Sequence, residues 1–303
     1  MIATFKDLFA ELKEKNICKK LIVAWGVDSH SIEAAYKAAE MGFVKVTLVG
    51  DAKLIAEVCK AEGMDMGKFT IVDNPVELKA VAEAVRMVHD GEGDVLMKGL
   101  CSTDKFLRAI LNKETGLLPP KGVLSHVGVI ENPHYPKLMF LSDMAVIPAP
   151  DFRQKVKIAN YLVSTARSFG LAEPKIAFIA ASEQMLDSLP ACIEGAMLAK
   201  MCDRGQIAKC IGDGPLALDV AIDPESVAIK KLESPVAGDA DCMLFPNIES
   251  ANVFWKTNSK LCGEGIRQAG ILVGVTAPCV LASRADTADT KLCSIATAVM
   301  SIA

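Results

Sequence analysis

Short apolar runs recur along this chain, separated by stretches whose apolar positions return every three or four residues. The first pattern predicts strands buried on both faces, the second amphipathic helices. Within residues 1–16, Ile2, Phe5, Leu8, Phe9 and Leu12 fall on one helical face between charges, which predicts an amphipathic opening helix rather than a signal peptide. Residues 20–26 (KLIVAWG) form the first predicted strand. A helix over 31–41 follows, with Ile32, Ala35 and Ala39 inward, then a strand over 44–50 with Asp51 as N-cap of the next helix. Strands are predicted at 69–72 and 94–97, and Asn74, Pro75 and Glu77 open the helix between them. Strands alternating with helices mean βαβ units and a parallel sheet.

Residues 122–129 and 137–142 read as strands joined by a turn at Asn132-Pro133-His134, and 143–150 crosses to a second domain. The pattern then restarts with a helix over 151–169, a strand over 175–181, a helix over 189–201 and a strand over 209–212. A short helix near 218–222, a loop at 235–239, a strand over 241–245 and helices from Asn247 to Gly270 follow. Strands at 271–275 and 278–282 lead to a tail helix from Ala288. Gly212-Asp213-Gly214-Pro215 has the spacing of a degenerate dinucleotide fingerprint. Pro215 removes a donor such a turn needs, so the segment is predicted to be a tight turn at a strand end, with Asp213 and Asp219 near the cleft.

A chain of 303 residues accommodates two domains. Hydrophobic residues make up 51% and aromatics 5%, an aliphatic composition that suits covered parallel sheets. A net charge of −4 gives no electrostatic case for nucleic acid or an acidic membrane surface. Ten cysteines without a C-x-x-C pair read as reduced thiols of a cytoplasmic protein, not as a disulfide or zinc framework. No apolar run approaches the about 18 residues that span a bilayer. His126 lies in an apolar run and reads as a core histidine. His30 and His134 are turn residues without a spaced partner, so no metal site is expected.

Two stretches carry candidate chemistry. In 277–291 an apolar strand ends in Ser283-Arg284, with Asp286 and Asp289 following. Ligands of α/β proteins sit outside the carboxyl ends of strands, arginine binds phosphate through a planar fork of donors, and a carboxylate can take a proton. In 98–108 another strand ends in Lys98-Gly99-Leu100-Cys101-Ser102-Thr103 before a helix starting at Asp104. Gly99 permits close backbone approach and Ser102 or Thr103 can cap, which makes an anion site; Arg108 could reach back along the helix toward it. Cys101 is expected to be packed.

Five segments, KGLCSTDKFLRAIL (98–111), LSDMAVIPAPDFRQKVKIA (141–159), GDGPLALDVAI (212–222), ADCMLFPNIESANVFWK (240–256) and PCVLASRADTADTKLCSIA (278–296), resemble the phosphate acetyl/butyryltransferases in order and spacing over nearly the full chain. The KGL opening and the short length are more similar to the butyryl-transferring branch. The resemblance implies two parallel-sheet α/β domains with a cleft between them, of isocitrate/isopropylmalate dehydrogenase type. Residues 1–143 plus 276–303 would form a discontinuous first domain, and 144–275 an inserted second domain that dimerises. It implies acyl-CoA plus phosphate giving acyl phosphate plus CoA, by direct transfer without a covalent enzyme intermediate. Coenzyme A is then a substrate, and no permanently bound cofactor is expected. Ser283 and Arg284 match the family's serine-arginine pair, and Ser102, Thr103 and Arg108 its S-T-x-x-x-x-R motif, with Lys98 and Gly99 beside them. Asp213, Gly214, Asn247 and Thr290 would line the cleft. The acid proposed as base in acetyl-transferring members stands seven residues after the serine, where this chain has Thr290. Asp289, Asp286 or no carboxylate at all could serve instead, and Arg86 is only a loose candidate for a second phosphate arginine. Other expectations are an acetyl-transferring enzyme, a metal- and NAD-dependent dehydrogenase on the same architecture, or a non-catalytic CoA-binding relative.

Overall fold

A computed structural model of the chain describes residues 1–283 and 286–303; Arg284 and Ala285 lie outside the described residues. The chain opens with α1 (Phe5–Glu14), β1 (Lys19–Ala24), α2 (Ser29–Glu40), β2 (Val44–Gly50), α3 (Ala52–Ala61), β3 (Phe69–Asp73), α4 (Glu77–His89), β4 (Val95–Lys98) and α5 (Thr103–Ile110). There follow β5 (Ser125–Glu131), β6 (Met139–Ser142), α6 (Phe152–Ser168), β7 (Lys175–Ile179), α7 (Pro190–Asp203), β8 (Ile211–Leu216), α8 (Leu218–Ile222), α9 (Pro224–Lys230), β9 (Cys242–Leu244) and α10 (Ile248–Leu261). The chain closes with β10 (Arg267–Val273), β11 (Cys279–Val280) and α11 (Ala288–Met300). This is the expected α/β class.

Two compact units result: Phe5–Leu124 with Gln268–Ala303, and Met1–Thr4 with Ser125–Arg267. In the first, strands run β3-β2-β1-β4-β11-β10, all parallel except β10 against β11. β4 is buried along its whole length, which accounts for its unbroken apolar run. In the second unit the order is β5-β6-β9-β7-β8, parallel apart from the β5/β6 pair. The units divide near 124/125 and 267/268 rather than at 143/144 and 275/276, because β6 pairs with β9 and draws its hairpin partner β5 with it. Ile2, placed by its periodicity on the face of the opening helix, instead precedes α1, and its N–H donates to Phe169 O at 3.0 Å.

Other differences have local causes. Asn74 accepts from the Val76 N–H rather than capping a helix, and α4 begins at Glu77. No helix reaches Gly270, since α10 ends at Leu261 and β10 starts six residues later, at Arg267. Asp223, with Pro224 behind it, caps α9, a helix absent from the pattern reading. The predicted turn at Gly212-Asp213-Gly214-Pro215 lies inside β8. A Cβ on Gly212 would stand 2.4 Å from Cys202 Sγ, and one on Gly214 would stand 2.7 Å from Phe178 Cβ. These glycines therefore mark close approach of α7 and β7 to the strand, not reversal of the chain.

Candidate active site

Strand register brings the first unit's candidate residues to one edge. Ala24 of β1 lies beside Lys98 of β4, and Met97 beside Val280 of β11. From β1 the order runs to β2 and β3 on one side and to β4 and β11 on the other, so β1/β4 is a switch point, and ligands bind outside the carboxyl ends there. Trp25–Asp28, Gly99–Ser102 and Leu281–Ser283 leave the sheet at that edge.

The segment after β4 is set by backbone contact with β1. Gly99 N–H donates to Ala24 O at 2.9 Å and Leu100 N–H to Trp25 O at 3.0 Å, while Trp25 takes a left-handed φ of 55°. A Cβ on Gly99 would lie 2.2 Å from Trp25 O. Lys98 is 2% exposed, and its ammonium donates to Gly99 O at 3.2 Å and Cys101 O at 3.1 Å. A buried cation thus holds the loop by its carbonyls and brings positive charge to the strand end. Cys101 is fully buried.

Ser102, not Thr103, is the N-cap of α5: its Oγ accepts from Lys105 N–H at 3.3 Å. Thr103 is the first helical residue and exposed. Partial positive charge at this helix start adds to that of Lys98. Arg108 does not reach back. Phe106 and Ile110 turn inward, which leaves Asp104 and Arg108 on the outer face. There they pair at 3.0 Å, with the arginine side chain 80% exposed. Arg86 is likewise engaged elsewhere, held among Glu83, Asp90 and Glu92.

After β11, shorter than the predicted strand, comes a closed turn. Ser283 N–H donates to Asp286 Oδ2 at 2.6 Å and Asp286 N–H to Ser283 O at 3.1 Å, with Ser283 exposed. Thr287 then caps α11, accepting from Thr290 N–H at 3.2 Å. Asp286 is thus a turn-former, whereas Asp289 stands exposed on the first turn of α11, its Oδ2 accepting from Cys293 Sγ at 3.9 Å. Thr290 O accepts from Ser294 Oγ, which accepts from Gly270 N–H and ties α11 to β10. Arg284 lies outside the described residues. On β11 itself, burial pushes the Cys279 thiol up, so it stays protonated near neutrality.

Lys291 is a residue that pattern reading passed over. It is 3% exposed, and its ammonium donates to Ser31 Oγ at 3.0 Å and lies 3.4 Å from Asp28 Oδ1. The available signal was a lysine opening the mostly apolar run of the tail helix from 291 to 300. In the second unit, Asp213 accepts from Gly214 N–H at 2.8 Å, and Asn247 caps α10 through Ser250 N–H at 3.0 Å. Both serve local backbone needs, and neither belongs to the unit that holds Ser283. Also unforeseen there is buried Lys155, which pairs with Glu194 beside Ile179, Leu244 and Pro246.

The family model described as phosphate acetyl/butaryl transferase matches residues 74–299. A phosphate butyryltransferase of Clostridium acetobutylicum is 42% identical over 300 residues, 99% of this chain and 98% of that protein. A phosphate acetyltransferase of Rhizobium meliloti is 37% identical over 92% of this chain and 87% of its own. The crystal structure of a branched-chain phosphotransacylase from Enterococcus faecalis V583 matches with a TM-score of 0.82 at 26% identity, covering 93% of this chain and 98% of that one. With more than two thirds of its length matched and relatives of this identity along almost all of it, the chain belongs to the phosphate acetyl/butaryl transferase family.

Proposed function

We propose that this protein transfers a short-chain acyl group, butyryl favoured, between coenzyme A and inorganic phosphate by direct attack in a ternary complex. The observation that carries the reading is the carboxyl edge of β1, β4 and β11. There exposed Ser283, buried Lys98 and the Ser102-capped start of α5 sit on neighbouring strand ends of a chain 42% identical to phosphate butyryltransferases. A phosphate oxygen attacks the thioester carbonyl. The tetrahedral oxyanion collapses, the carbon–sulfur bond breaks, and CoA leaves as thiolate. Ser283 and Arg284 donate to the oxyanion and phosphate, and Lys98 with the α5 start supplies further positive charge. Phosphate already carries negative charge near neutrality, so this direction needs positioning more than deprotonation. In the reverse direction a thiol of pKa about 8.5 must lose its proton. We assign that proton to Asp289, the carboxylate of the turn that faces solvent. Coenzyme A enters as substrate rather than resident cofactor, and the protein works as a cytoplasmic homodimer or higher homo-oligomer.

The test is CoA release from butyryl-CoA read with a thiol reagent, with and without phosphate, repeated from acetyl- through hexanoyl-CoA. Phosphate-dependent release with a maximum at butyryl is expected. Each buried methylene contributes about 0.8 kcal/mol, so neighbouring chain lengths differ by about fourfold and no more. Release independent of phosphate, or none from any acyl-CoA, overturns the reading. Asp289→Asn is expected to remove the acid-limb inflection of the pH–rate profile in the CoA-consuming direction. Asp286→Asn, which keeps an acceptor for Ser283 N–H, lowers the rate without moving that inflection. An Asp289→Asn profile that overlays the unmodified one removes Asp289 from the role.

A further inference from the structure

We infer that Lys291, acting with Asp28 and Ser31, is a positioning residue that sets Ser283 and the start of α11 against the end of β1. Lys291 is the fourth residue of α11, and every residue of the helix from it to Met300 is buried. An ammonium in such a place is costly unless paired. Its partners are two side chains at the start of α2: Ser31 Oγ at 3.0 Å and Asp28 Oδ1 at 3.4 Å, the latter also accepting from Ser31 N–H at 3.0 Å. The other oxygen, Asp28 Oδ2, is buried and has no hydrogen-bond partner among the described residues. A network arranged purely for stability would fill that acceptor or dispense with both charges, since apolar groups of similar volume are often as stable as a buried ion pair.

What the cluster joins explains its retention. Asp28 lies four residues beyond the end of β1, at the switch-point edge, and caps α2. The Ser283 turn is closed on itself by the Ser283–Asp286 hydrogen bonds and runs directly into the Thr287 cap of α11. Hydrogen bonds thus link Ser283 through Asp286 to the Thr287 cap and the first turn of α11. Lys291 pins that linked segment to α2, which packs against α11. Its ammonium is buried and does not itself meet substrate, so it acts through Ser283 and Arg284, and the inference rests on the transferase reading of that pair.

Three variants test it: Lys291→Met, the double variant Asp28→Asn/Lys291→Met, and Ser31→Ala. Each is followed by urea unfolding and by kcat and KM for butyryl-CoA and phosphate. Lys291→Met is expected to lower both stability and kcat, because Asp28 is left buried without its cation. The double variant removes both charges; its urea midpoint is expected to return to that of the unmodified protein while kcat stays at least tenfold down and both KM values remain within about twofold. Ser31→Ala keeps both charges and is expected to lower kcat about threefold, which keeps the inference open to refutation if the double variant does not fold. A kcat that recovers together with stability, or a Ser31→Ala variant with unchanged kcat, overturns it. An unmodified protein without phosphate-dependent CoA release on any acyl-CoA would instead overturn the transferase reading, and this inference with it.

Discussion

Arg284→Ala is expected to lower kcat for phosphate-dependent CoA release at least a hundredfold, with the urea midpoint unchanged. The magnitude follows from the group's assigned task. Loss of one donor aimed at a developing oxyanion costs about 3 kcal/mol, and a guanidinium that also grips phosphate gives up two parallel hydrogen bonds. KM for phosphate is expected to rise as well, since part of the grip exists before the transition state. Arg284→Lys separates charge from geometry. Lysine keeps the cation but lacks the planar fork, and is expected to recover no more than about a tenth of the loss in log units. Near-normal turnover by Arg284→Ala would remove the pair from the mechanism and leave Lys98 and the α5 start as the charges to test next.

The element pattern was largely readable because its cause is local. Strand β2 occupies the residues expected of it, and Asp51 accepts from Lys53 and Leu54 N–H as an N-cap does. Periodicity reports burial, and the central strands β1 and β4 are buried over four consecutive residues each, so apolar runs mark them well. The misreadings share a different origin. Gly212 and Gly214 carry turn chemistry in any local reading, yet they sit in a strand because Cys202 and Phe178 come too close for a side chain. That is tertiary information and has no local signature. The domain boundary moved for the same reason, since the pairing of β6 with β9 joins residues about a hundred apart in sequence.

The placement of candidate residues was readable where a strand end fixes it and unreadable where it depends on helix rotation. Lys98 and Ser283 follow from the ends of β4 and β11. Arg108 was aimed at the anion loop by spacing alone, but Phe106 and Ile110 fix the rotation of α5 and send it outward to Asp104. Lys291 is the converse case: a charge with no assigned place in the pattern is carried inward because the helix from Lys291 to Met300 is core. Which of two carboxylates is tied up was also invisible, since the Ser283 N–H bond to Asp286 depends on the turn's shape and not on its composition.

Gly99→Ala is expected to be the most damaging single methyl addition at the edge of β4. A new Cβ would stand 2.2 Å from Trp25 O, 2.7 Å from Trp25 C and 2.9 Å from Ala24 O. All three obstacles are backbone, so no side-chain rotation relieves them. The chain can move away only by giving up the Gly99 N–H bond to Ala24 O or the Leu100 N–H bond to Trp25 O, each worth about 1 kcal/mol. Overpacking adds about 1–3 kcal/mol, so the urea midpoint is expected to fall by the equivalent of about 2–4 kcal/mol. Activity is expected to fall further than stability. The displaced loop carries the carbonyls that hold the Lys98 ammonium and the Ser102 cap that opens α5, and a shift of about 1 Å in positioned groups can cost about a hundredfold in rate. An unchanged urea midpoint would mean that β1 and β4 part easily at this edge, and the close approach of their ends would then lose its place as the frame of the site.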